Sequence, residues 1–168
     1  MSEITYRQTR NIERSLKDYI VEILEDNNWS NINVVKTFDK VYDLPFDADK
    51  KTAAISIRVS YTNHDPAEVG SNSTIRKPLI LIDVFGSSDG QKEDIVDTLS
   101  SKLKKGFNYY EYILENGSVK TKTSNGKIEV NTMSQTPINL DSEKDQLNVW
   151  DRYRMLITLN CTKNNIEE

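Results

Sequence analysis

Few side chains in this sequence have the type and spacing that chemistry requires. Asp83 interrupts the apolar run Pro78-Leu79-Ile80-Leu81-Ile82-Asp83-Val84-Phe85, and a carboxylate on a central strand is the anchor a metal-dependent nuclease uses, together with a Glu-x-Lys on a neighbouring strand. No neighbouring segment offers that partner, so the favoured reading is that Asp83 caps a turn or pairs with Arg58 or Arg154. Asp141-x-Glu143-x-Asp145 imitates the start of a calcium loop. Its sixth position is Gln146, where the turn needs Gly, and its twelfth is Arg152, where a bidentate Glu belongs. The only histidine, His64, lies in a polar stretch nearly a hundred residues from the only cysteine, Cys161, so a Cys-His dyad has nothing but co-occurrence behind it. Tyr109, Tyr110 and Tyr112 could stack bases. In an acidic chain they fit a core or a subunit contact better.

The common cofactor and nucleophile motifs are absent: no Gly-x-Gly-x-x-Gly, no phosphate-binding loop, no Gly-x-Ser-x-Gly and no His-Glu-x-x-His. A single cysteine excludes an intramolecular disulfide and a cysteine-based zinc site, and it suits a reducing compartment. With 22 basic against 26 acidic side chains the net charge is -4, which is unlike the basic footprint of a dedicated nucleic-acid binder. No run approaches the roughly 18 apolar residues of a membrane span. No cofactor, metal or catalytic residue is therefore assigned.

The elements that would position these residues follow from periodicity. Ile12, Leu16, Tyr19, Ile20, Ile23 and Leu24 form one stripe of a helix over about Gln8 to Asp26. Ala53 to Tyr61 alternates apolar and polar residues as a half-buried strand does. The run Pro78 to Phe85 reads as the middle strand of a sheet, covered on both faces. A second helix is expected over Gln91 to Lys105, with Ser88 or Asp89 capping its free amides and lysines in its last turn. Phe107 to Leu114 is β-prone. Asn125-Gly126 between Val119–Thr123 and Lys127–Asn131 predicts a hairpin over about 119–131, and Trp150 to Cys161 reads as a long last strand. A further strand is expected near Asn33 to Phe38. The whole is one α+β domain spanning 1–168, with a core over about 8–161. It has a single mixed, mostly antiparallel sheet, two main helices packed on it, long loops at about 62–74 and 132–149, the hairpin arm, and a flexible tail at 163–168.

Several phrases in this order carry a resemblance: Arg76-Lys77-Pro78-Leu79-Ile80-Leu81-Ile82-Asp83-Val84-Phe85-Gly86, then Asp89-Gly90-Gln91-Lys92-Glu93-Asp94-Ile95-Val96-Asp97-Thr98-Leu99, the Tyr-rich strand, and the closing Asp151-Arg152-Tyr153-Arg154-Met155. Over roughly Ile12 to Cys161 the chain resembles the tail-terminator and head-tail joining proteins of tailed bacteriophages, the neck and tail-completion family. The resemblance implies a virion structural protein rather than an enzyme, made in the host cytoplasm. Its copies would form a ring, commonly a hexamer, that ends the tail tube and meets the head connector or stopper protein. DNA would pass through such a ring without sequence-specific contact. On that reading Arg76, Lys77, Arg152, Arg154 and His64 are the expected subunit or tube contacts, with Arg152 and Arg154 on the outward face of the last strand. The alternatives are a metal-dependent nuclease built on Asp83 and a small adaptor that binds a host protein.

Overall fold

The computed structural model describes residues 2–66, 74–138 and 147–164. Strand β1 (Glu3–Thr5) precedes helix α1 (Gln8–Asp26); β2 (Ile32–Val35) and a 3-10 turn (Phe38–Asp43) follow. Then come β3 (Ala53–Pro66), β4 (Thr74–Phe85), α2 (Asp89–Leu103), β5 (Phe107–Glu115), β6 (Ser118–Pro137), a second 3-10 turn (Val149–Asp151) and β7 (Arg154–Asn164). The strands make one curled seven-stranded sheet in the order β1-β5-β6-β7-β4-β3-β2, and β2 with β3 is its one parallel pair. This is the expected α+β fold with a single mixed sheet.

Both helices occur where periodicity places them. The stripe of α1 buries Ile12, Leu16, Ile20, Ile23 and Leu24 against Ile55, Ile57, Ile80, Ile82, Ile157 and Leu159 of the sheet. Helix α2 adds Ile95, Val96, Leu99 and Leu103 to the same core, and burial of each such side chain contributes roughly 1.5–3 kcal/mol. The Ser88 hydroxyl accepts from the Gln91 amide at 3.2 Å, the expected N-cap. β4 does lie inside the sheet, between β7 and β3.

Two polar residues on the buried side of α1 have a different task. Asn11 Oδ1 accepts from the Tyr112 amide at 3.1 Å, and its Nδ2 donates to the Tyr6 carbonyl at 3.2 Å. The Ser15 hydroxyl accepts from the Tyr110 amide at 2.9 Å. β1 is too short to pair with all of β5, and the helix supplies side-chain partners where the missing strand would have supplied backbone.

Five sequence expectations are corrected. The segment 62–74 is not a loop: β3 runs on to Pro66 and β4 begins at Thr74, with Thr62, Asn63, His64 and Asp65 opposite Pro78, Lys77, Arg76 and Ile75. The pairing extends past the core, so both faces carry polar residues and the alternation that marks a half-buried strand is missing; 67–73 lie outside the described residues. Asn125-Gly126 is not a hairpin turn. Asn116 and Gly117, with φ of 53° and 83°, turn the chain instead, and β6 is one strand of 20 residues. Asn125 and Gly126 sit opposite the single residue Tyr109, between the pairs Asn108–Lys127 and Tyr110–Ser124. They form a bulge, which explains the left-handed φ of 88° at Gly126. Within 132–149, residues Thr132–Pro137 continue β6, while 139–146, including Asp141, Glu143 and Asp145, lie outside the described residues. The last strand starts at Arg154 rather than Trp150, whose ring fills a small second core with Val41, Ala54 and Phe85. Of the tail at 163–168, Lys163 and Asn164 belong to β7, and 165–168 lie outside the described residues.

The turn from α2 into β5 gives a test of this packing. Gly106 has φ of 77°, and a Cβ there would stand 2.2 Å from the Ile128 carbonyl oxygen, whereas Gly117, with φ of 83°, faces open space. In urea denaturation, Gly106→Ala is expected to lose at least about 2 kcal/mol and Gly117→Ala only about 1 kcal/mol. Equal losses would show that the close approach of β6 to Gly106 is not tight.

Candidate functional site

Asp83 is buried on the face of the sheet opposite the helices. Its Oδ1 accepts from Arg154 Nη2 at 2.9 Å and Nε at 3.1 Å, and Oδ2 accepts from the Ser56 hydroxyl at 3.4 Å. Arg154 also reaches Asp151 Oδ1 at 3.4 Å, to which the Tyr42 hydroxyl donates at 2.7 Å. The guanidinium lies 4.9 Å from the centre of the Phe85 ring and 5.4 Å from that of Phe38. This is a closed structural network. Both carboxylate oxygens of Asp83 are engaged by protein donors, and among the described residues no three His, Cys, Asp or Glu side chains converge to hold a metal.

Arg154 therefore does not face outward as expected. It sits at the start of β7, beside the second core, and its charge is spent on Asp83. Arg152 precedes the strand and is half-buried, with an Nε that has no acceptor among the described residues. The other expected contacts lie at the far end of β4. Phe85 pairs with Arg154, and Arg76 pairs with Lys163, which separates the two groups by about 30 Å at the rise of a strand. His64 stands across from Arg76, and Lys77 binds Asp65 at 2.6 Å.

His64 and Arg76 do come together, at the mouth of the curled sheet. They line a cleft of about 790 Å³ with Tyr109, Glu111, Thr121 and Thr123, and the first turn of α1 closes its rim. Behind them lies Lys163, buried, its ammonium 4.3 Å from the centre of the Tyr109 ring and donating to the Asn125 carbonyl at 3.1 Å. Burial lowers the Lys163 pKa, against which nearby Glu111 acts, and burial raises that of the Tyr109 hydroxyl. Lys163 was missed in the sequence, although it continues the inward alternation Ile157, Leu159, Cys161. Its role here is to hold the bulge of β6 by its carbonyl.

Two measurements test this network and the burial around it. Asp83→Asn leaves Arg154 only its longer contact to Asp151 at 3.4 Å, so it is expected to cost about 3 kcal/mol of stability; a change below about 1 kcal/mol would show that the pair is dispensable. Burial, reinforced by the hydrogen bond to Asp151, raises the Tyr42 pKa from 10 to about 12, and burial alone raises that of Cys161 from 9 to about 12. Both groups are favoured neutral in the folded protein, so their contribution is complete below about pH 9 and is lost as the pH rises to about 12. Thermal melts should show that alkaline loss, and Tyr42→Phe should flatten part of it; an unchanged slope would contradict the assignment.

No protein-family model and no curated protein matches this chain.

Proposed function

We propose that the chain is a structural virion assembly protein: a subunit of the ring that terminates the tail tube of a tailed bacteriophage or builds its neck. Its partners on this reading are copies of itself in a ring of about six, the tail tube protein, and the head connector or stopper. It uses no cofactor and carries no active site.

The observation that supports this most is where the chain spends its β-structure. The far ends of β3 and β4 and the first ten residues of β6, Ser118–Lys127, extend beyond the core, and those ten are all exposed. Polar strand that lies outside the apolar core is marginal by its own pairing in water. A monomer gains little from it, whereas a ring subunit gains a contact surface. The nuclease alternative rested on Asp83 with scattered acids such as Glu111, and the Asp83 carboxylate is committed to Arg154 and Ser56.

Native mass spectrometry and negative-stain electron microscopy test the reading on purified protein, alone and with tail tube protein. A closed ring, or a ring seated on tube ends, is the expected result. A strictly monomeric protein that leaves tube ends free would overturn it.

A further inference from the structure

Strand β6 changes partners along its length. Up to Ile128 it pairs with β5, and from Glu129 onward with β7. Among the described residues no strand pairs with the outer edge of Ser118–Thr123. Such an edge is a template for another strand unless charge guards it. Lys120 and Lys122 are the natural guards, and both are drawn inward: Lys120 binds Glu3 at 2.8 Å, and Lys122 binds Asp18 at 3.2 Å and lies 4.3 Å over the Tyr110 ring. Beside this edge runs an apolar row across three strands, Ile4 opposite Leu114 and Leu114 opposite Val119. Ile4 and Val119 are 46% and 40% exposed on either side of the buried Leu114.

The other end of the sheet carries a matching edge. Among the described residues β2 pairs only with β3, and its sequence, Ile32-Asn33-Val34-Val35, is uncharged. The Asn31 carbonyl accepts from the Ala53 amide. In a parallel pair this turns the backbone groups of Asn33 and Val35 toward β3 and those of Ile32 and Val34 outward. Shortly after β2 stands Phe38, 38% exposed. Two open edges, one uncharged and one whose two lysines are paired to carboxylates, each beside exposed apolar side chains, therefore lie at different places on one molecule.

We infer that the outer edge of β6, Ser118–Thr123, with the Ile4–Leu114–Val119 row, is the docking surface for a second copy of this chain, which adds its β2 edge there and covers the row with Phe38. Backbone hydrogen bonds give the contact its strength, and the apolar side chains give it its register. The two surfaces differ, so the contact is head-to-tail. Repetition of such a contact closes a ring when the rotation permits. The inference rests on the ring reading above and names the faces that such a ring would join.

The test uses variants that each damage one surface, read by native mass spectrometry. Ile4→Glu with Val119→Glu removes the β6 surface, and Val34→Pro removes an outward amide from β2. Phe38→Glu serves in place of Val34→Pro if that variant loses its native circular dichroism, since a carboxylate at 38 falls beside Arg58 and Arg154. Wild-type protein is expected to form rings and each variant alone to remain monomeric. An equimolar mixture of the two kinds should give a one-to-one heterodimer, because one intact surface of each type remains. Wild type that stays monomeric even with tail tube protein present would overturn the ring reading and this surface with it. Rings from the wild type and equally from the Ile4→Glu, Val119→Glu variant would overturn the surface alone. Monomeric variants whose mixture stays monomeric would overturn the head-to-tail pairing.

Discussion

The fold depends on one strand that serves two partners. β6 cannot lie beside β5 and β7 along its whole length, because the sheet curls and the two neighbours diverge. The bulge at Asn125-Gly126 lies just before the point where it changes from one to the other, and glycine tolerates the left-handed backbone there. Gly106 lets the chain leave α2 within contact of Ile128, and Lys163 reaches across from β7 to hold the Asn125 carbonyl. Every other pairing in the sheet is arranged around this exchange, and it leaves the first part of β6 with an unpaired side.

The treatment of the remaining free backbone shows that such an edge is not a general property of the molecule. Where β5 outruns β1, Asn11 and Ser15 of α1 satisfy its amides and keep that edge closed. Where Asp83 is buried, Arg154 and Ser56 complete it, and Asp151 with Tyr42 completes Arg154. Asp83, Arg154 and the β5 amides thus have partners within the subunit. Ser118–Thr123 has Lys120 and Lys122 tied back and, among the described residues, no strand on its outer side, which is the arrangement a subunit contact needs.

The helices and the buried strands were legible in the sequence because burial imposes a period: 3.6 along α1 and α2, two along the first half of β3. A structural role for Asp83 was legible from its place in an apolar run, but the choice between a turn cap, Arg58 and Arg154 was not. What periodicity could not reveal lies where burial stops. The polar continuations of β3 and β4 read as a loop because neither face is apolar, and Asn125-Gly126 has the composition of a turn although it forms a bulge. Asn116-Gly117, the same dipeptide nine residues earlier, makes the turn, since it falls where β5 runs out of core. The expected contacts divided for a similar reason. Type alone marked Arg154 as a surface charge, and only the register of β7 against β4 shows that it faces Asp83.

Hydrogen exchange of the backbone amides, compared between assembled and dissociated protein, bears most directly on the central claim that this chain is a ring subunit joined through its open β6 edge. Amides in Ser118–Thr123 and in Ile32–Val35 should gain protection together on assembly, while those of α1 stay unchanged. Assembly that leaves both segments exchanging as fast as in the dissociated subunit would contradict the account.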